Sequence, residues 1–178
     1  MKKNIILAIT GSIAAYKAAD IVSELTKRGR NVEVVMTKAA TEFITPLTFQ
    51  TLSKNRVYTD IFVEHKADKI QHITLAQEAD VFVIAPATAN IIAKLANGFA
   101  DDMVSALGLT VRGIPKFIAP AMNTRMYENP IVQENVAKLA AQGYEIIEPR
   151  VSTLACGDFG KGAMAQVNDI LQKIERVL

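Results

Sequence analysis

Residues 81–85 read Val-Phe-Val-Ile-Ala, an apolar run with no polar alternation. A strand with one solvated face alternates in period two. A run without alternation is buried on both faces, the condition of a strand inside a parallel sheet. Parallel neighbours need a crossover long enough to hold a helix, and the chain supplies them. Apolar runs predict further strands over residues 4–9, 32–36, 57–60, 114–119 and 144–147. Helices are expected from residue 12 through about 27, from 37, over 47–53, near His72, from 86 through about 96, from 100–103, over 130–142 and over 168–177. Residues 148–166 read as one long loop holding the only cysteine. This alternation implies right-handed β-α-β units. The expected fold is α/β: one domain over 1–178, with a doubly wound, mostly parallel sheet and helices on both faces. That is a three-layer, Rossmann- or flavodoxin-like arrangement.

Half of the 178 residues are hydrophobic, enough for one good-sized core. The net charge of +2 comes from interspersed acids and bases, and there is no Trp. Neither a nucleic-acid groove nor a basic membrane face is expected. One cysteine excludes an internal disulfide and favours a reducing compartment, hence the cytoplasm. Met1-Lys2-Lys3 before an apolar run superficially suggests a secretory leader. The run is too short and leads into a helix bearing Lys17 and Asp20, so it reads as a first strand. No apolar run reaches membrane-spanning length. No metal site is expected.

In doubly wound sheets ligands bind beyond the carboxyl ends of the strands, and four loops fall at that edge. Thr10-Gly11-Ser12-Ile13 opens the first helix, where free amides suit an anion, though an ordinary capped turn reads the same way. Thr37 follows the second strand, either as a plain N-cap or as a hydroxyl near a phosphate or ribityl chain. Pro86-Ala-Thr88-Ala89-Asn90 follows the buried run. Pro120-Ala121-Met-Asn123-Thr-Arg-Met126-Tyr127 follows the 114–119 strand. Its Met residues can wall a pocket and Asn123 can bond inside it, or the segment is a turn with filler methionines. His72 sits at a helix start facing the same edge, whereas His65 reads as an ordinary surface or core histidine.

Together these segments, with Leu154-Ala155-Cys156-Gly157-Asp158, resemble the flavin-dependent cysteine decarboxylase family over nearly the whole chain. The resemblance implies FMN. It implies cofactor contacts at Gly11, Ser12, Ile13, Thr37, Thr88, Ala89, Asn90 and Ala121. It implies His72 as catalytic base, Asn123 as substrate-binding and catalytic, Cys156 as proton donor, and Ala155 and Met126 as substrate contacts. Two departures stand out. Tyr127 replaces the commoner Trp or Phe, and Gly162-Ala163-Met164 replaces a Gly-Arg-Met of many fused members.

The implied activity is FMN-dependent decarboxylation of 4′-phosphopantothenoylcysteine to 4′-phosphopantetheine in coenzyme A biosynthesis. A β-thiol carboxylate has no electron sink. Oxidising its CH2–SH to a thioaldehyde creates one, and loss of CO2 then gives an enethiol. Histidine suits the base role because its ordinary pKa lies near working pH. The resemblance also implies a homo-oligomer, a trimer or multiple of trimers. It further implies a phosphopantothenate–cysteine ligase on another chain. Rival readings are an oxidative peptidyl-cysteine decarboxylase, a flavin prenyltransferase and a non-catalytic regulatory flavoprotein.

Overall fold

The structure is a computed structural model that describes residues 2–64 and 69–178. His65 lies outside the described residues. In chain order the elements are β1 (Asn4–Ile9), a 3-10 turn (Ile13–Tyr16) running into α1 (Lys17–Lys27), β2 (Asn31–Met36), α2 (Lys38–Thr41), α3 (Pro46–Ser53) and β3 (Val57–Tyr58). Then come α4 (Gln71–Glu78), β4 (Val81–Ala87), α5 (Ala89–Ala96), α6 (Met103–Thr110), β5 (Lys116–Pro120), α7 (Thr124–Tyr127) and α8 (Pro130–Ala141). The chain closes with β6 (Tyr144–Ile146), β7 (Arg150–Thr153), β8 (Phe159–Ala163) and α9 (Val167–Glu175).

Six strands form one sheet in the order β3-β2-β1-β4-β5-β6, and every neighbouring pair is parallel. This is the doubly wound order, with its reversal between β1 and β4. Both faces are covered. Ile5, Leu7, Ile9, Val34 and Val83 pack with Ile21, Val22 and Leu25 of α1, Phe49 of α3 and Ile170, Leu171 and Ile174 of α9. Ile6, Ala8, Phe82, Ile84 and Ile118 face the other way, against Leu75, Ile91, Ile92, Leu95, Val104, Leu107 and Leu139. Each fully buried Ile, Leu or Phe contributes about 1.5–3 kcal/mol of transfer free energy, so the sheet is a rigid base for the loops at its edge.

Tyr144 opens β6 with its ring buried and its hydroxyl donating to the Gly108 carbonyl at 2.9 Å. Burial pushes this phenol far above its ordinary pKa. Tyr144→Phe leaves that carbonyl unpaired and should destabilise the fold by about 1 kcal/mol. A denaturant midpoint measures this; an unchanged midpoint would mean the carbonyl finds another donor.

One expectation fails. Residues 148–166 are not a loop: β7 and β8 pair antiparallel as a hairpin whose turn spans 154–158. β8 reads Phe-Gly-Lys-Gly-Ala, and glycine carries no strand preference, so pairing and packing create this strand rather than propensity. The short helix α7 lies within a segment read as a loop, and the other differences are shifts of ends: the fifth strand starts at Lys116, and the edge strand β3 covers only Val57–Tyr58.

Candidate functional site

The reversal point between β1 and β4 is pinned by one side chain. Thr10, 1% exposed, donates its hydroxyl to the Pro86 carbonyl at 2.7 Å and accepts the Thr88 amide at 3.0 Å. The loops after β1 and β4 are thereby fixed to each other. At Gly11 an added Cβ would stand 2.6 Å from the Ala39 Cβ, so glycine is what lets the first loop lie against the third residue after β2.

A hollow of about 290 Å³ lies at these loop ends, lined by Thr10, Gly11, Thr37, Lys38, Thr88, Asn90 and Lys94 among others. Thr37 and Thr88 both cap helices, accepting the amides of Ala40 and Ile91. Each uses an oxygen lone pair and keeps its hydroxyl hydrogen for a ligand, so capping and ligand binding coexist at these positions. Ser12 likewise accepts the Ala14 amide. A rigid hydroxyl-lined groove beside helix starts, with Lys38 at its rim, fits the polyhydroxy chain and phosphate of FMN.

A second hollow, about 390 Å³, adjoins it, with Gly11 lining the first and Ser12 the second. Its walls include Ser12, Ile13, Ala121, Met122, Asn123, Ala155, Cys156, Ala163 and Met164. Among the described residues Lys17 and Arg150 are its only charged lining residues, so the hollow favours an anion. Arg150 stands opposite Ala163 in the hairpin register, and its Nε donates to the Met164 carbonyl at 3.1 Å. A guanidinium thus reaches this wall from the strand facing position 163. Neither Lys17 nor Arg150 was singled out from the sequence. The signal was there for Lys17, on the first turn after the Gly-Ser loop; Arg150 became visible only with the hairpin register.

The hairpin is a flap seated on the loop after β5. An added Cβ on Gly162 would come within 2.3 Å of the Met122 carbonyl oxygen, and one on Gly160 within 2.5 Å of Thr124 Oγ1. The Met122 amide donates to the Gly162 carbonyl at 3.0 Å. This seat places the 154–158 turn over Asn123. Asn123 is the N-cap of α7, its Oδ1 accepting the Arg125 amide at 2.8 Å. Its Nδ2 then points to the turn, donating to Cys156 Sγ and to Asp158 Oδ2, each at 3.2 Å.

Tyr127 is buried, its hydroxyl donating to Glu148 Oε2 at 3.3 Å, with Lys161 ion-paired to the same oxygen at 2.6 Å. Burial, then the Glu148 charge, raise the phenol pKa. A tyrosine is accommodated here because its hydroxyl has this partner.

The structure thus brings Asn123, Cys156, Ala155 and Ala121 to one hollow, and Gly11, Thr37, Thr88 and Asn90 to the next; Ala89 starts α5 beside them. It does not bring His72 or Met126 to either. His72 is in the first turn of α4, its Nδ1 buried with no hydrogen-bond partner among the described residues. Met126 is 48% exposed on α7. Among the described residues no cluster of His, Cys, Asp and Glu could hold a metal ion, and no helix is long and apolar enough to cross a membrane.

The family described as Flavoprotein matches residues 1–178. A probable phosphopantothenoylcysteine decarboxylase of Streptococcus mutans is 55% identical over the full length of both chains. The coenzyme A biosynthesis bifunctional protein of Bacillus subtilis is 47% identical over 98% of this chain, which spans 43% of that relative. Among solved structures, a cysteine-to-serine variant of PPC decarboxylase complexed with pantothenoylaminoethenethiol superposes with a TM-score of 0.90 at 32% identity, covering 99% of this chain and 98% of that one. The FMN-dependent cysteine decarboxylase SpaF superposes at 0.84 and 30% identity, over 98% of this chain and 97% of its own.

Proposed function

Because the chain belongs to the flavoprotein family, we propose that it is the FMN-dependent decarboxylase of 4′-phosphopantothenoylcysteine, forming 4′-phosphopantetheine for coenzyme A. The observation that carries this reading is the Asn123–Cys156 contact of 3.2 Å, held under the flap of a cation-lined hollow beside a hydroxyl-lined one. Bound FMN would supply a hydride acceptor for the substrate's CH2–SH carbon and a hydride source for the closing reduction. The groove at Gly11, Thr37, Thr88 and Asn90 would hold its ribityl phosphate, and Ser12, Ile13, Ala89 and Ala121 would complete its surroundings. Lys17 and Arg150 suit the substrate phosphate. Asn123 bonds the substrate carboxylate through Nδ2 without neutralising it, so CO2 still leaves. The Cys156 thiol gives a proton to the carbon that lost CO2. An oxidative peptidyl-cysteine decarboxylase stops at the enethiol and needs no such donor, so the Asn123–Cys156 pair favours the saturated thiol as product.

The test is direct. The purified protein should be yellow, release FMN on heating and convert 4′-phosphopantothenoylcysteine to a product of 4′-phosphopantetheine mass. A different cofactor, or no CO2 from this substrate after FMN reconstitution, would overturn the reading.

His72 lines neither hollow of its own chain. If it is the base, a second copy supplies it, in a trimer or multiple of trimers with FMN near the subunit boundary. Exposed Ile13, Tyr16, Phe43 and Leu47 near the cofactor loops are consistent with such a contact. Mixed His72→Asn and Cys156→Ser chains, refolded together, should then regain formation of saturated thiol. Failure of the mixture to exceed either variant, or a monomeric active enzyme by light scattering, would reject the shared site. A phosphopantothenate–cysteine ligase is the expected supplier of the substrate, and the cytoplasm the expected location.

A further inference from the structure

We propose that Asp158 is a positioning residue that stands in for the substrate carboxylate at Asn123 and, on returning there, brings Cys156 to the carbon it protonates. This rests on the reading of the site given above. Asn123 cannot turn its amide end for end without losing the Arg125 cap at 2.8 Å, so its NH2 has a fixed aim. Both hydrogens are engaged by the flap turn, one on Cys156 Sγ and one on Asp158 Oδ2. The group Asn123 binds in the substrate is also a carboxylate. Two carboxylates at hydrogen-bond distance from one amide repel each other, so substrate binding displaces Asp158.

Cys156 moves with it. The turn is closed by the Leu154 amide on the Asp158 carbonyl at 2.8 Å and the Gly157 amide on the Leu154 carbonyl at 2.9 Å. Gly157 holds a φ of +89°, open to glycine and strained for other residues. Residues 154–158 are thus one tight unit, and lifting Asp158 lifts the thiol. While the substrate carboxylate occupies Asn123, the proton donor is held away from the carbon.

Loss of CO2 reverses this. The bond from Cα to the carboxyl carbon breaks, and its electron pair becomes the C=C of an enethiolate while the C=S pair moves to sulfur. The amide is now free and takes Asp158 back. Cys156 Sγ, which shares that amide, arrives where the carboxylate had been, beside Cα. The S–H proton passes to Cα, the C=C pair forms the new C–H bond, and a sulfur lone pair restores C=S. The Cys156 thiolate is reprotonated from solvent, and the flavin already reduced in the first half-reaction is the hydride source that completes the thiol. One amide therefore orders decarboxylation before protonation.

The test uses FMN-loaded full-length Asp158→Ala and Asp158→Asn. Three quantities are measured: KM for 4′-phosphopantothenoylcysteine, Ki for 4′-phosphopantetheine, and the ratio of enethiol to saturated thiol by mass spectrometry. Without a competing carboxylate, KM should fall by about tenfold, the scale of one hydrogen bond to a charged group. Ki should stay in place, because the product has no carboxylate to compete for Asn123. The enethiol share should rise, because Cys156 is no longer drawn back. A turn that matters only for structure would move KM and Ki together and leave the product ratio alone; that result overturns the proposal, as does a wild-type KM with a wild-type ratio. Saturated thiol formed at the wild-type rate by Cys156→Ser would instead overturn the proton-donor reading beneath it.

Discussion

His72→Asn is expected to release no CO2 while FMN stays bound. In the proposed reaction the first step removes a thiol proton as hydride leaves the adjacent carbon, and imidazole is the side chain whose ordinary pKa suits that task near neutrality. Asparagine keeps much of the size and a donor but has no basicity. General-base loss costs typically about 100- to 10,000-fold, and here it falls on the step that creates the electron sink, so decarboxylation stops with it. Cofactor retention is expected because the hydroxyls and amides proposed to hold FMN belong to the loops after β1, β2 and β4 rather than to α4. The measurement pairs trapped CO2 with the visible spectrum of the purified variant. Turnover at the wild-type rate would show that another group takes the proton.

Cys156→Ser should separate the two halves of the reaction. A serine hydroxyl is a far weaker acid than a thiol, so the variant binds FMN, oxidises substrate and releases CO2, then stalls. The stalled product is an enethiol, two hydrogens lighter than the saturated thiol, accumulating with reduced flavin. Cys156 is exposed on the flap turn, so the exchange removes no core contact and the fold should be unaffected. Mass spectrometry after stoichiometric incubation decides the matter: a saturated product at the wild-type rate would make Cys156 dispensable.

The parallel sheet was legible because residues 81–85 show no alternation, and burial on both faces is what produces that pattern. The four loops were legible because sheet topology sends every strand's carboxyl end to one edge. Asn123 was legible as a polar residue following an apolar strand, but its constraint as a helix cap comes from α7, a four-residue helix with no periodic signal of its own. The flap was missed because its glycines serve a contact with another segment's backbone, and no local propensity encodes that. Gly160 and Gly162 alternate because one face of β8 lies flat on residues 122–124. Arg150 was missed, and Asp158 was legible only as part of the Leu154–Asp158 motif, because their contacts depend on cross-strand and turn geometry. His72, in the first turn of α4, lines neither hollow of its own chain, which sequence order alone could not show.

The glycine seat has a consequence for how motion and stability are divided in this molecule. A strand face without side chains buries little apolar area, and the flap's large residues Val151 and Phe159 point into solvent. The flap is therefore held by a few hydrogen bonds, whereas β1 and β4 are held by the core. Its opening belongs to the low-energy end of native fluctuations, decoupled from global unfolding. In amide exchange the hairpin should report a local equilibrium that substrate shifts, while β1 and β4 report the stability of the whole chain. The fold can accordingly be made more stable through its core without slowing the door of its active site.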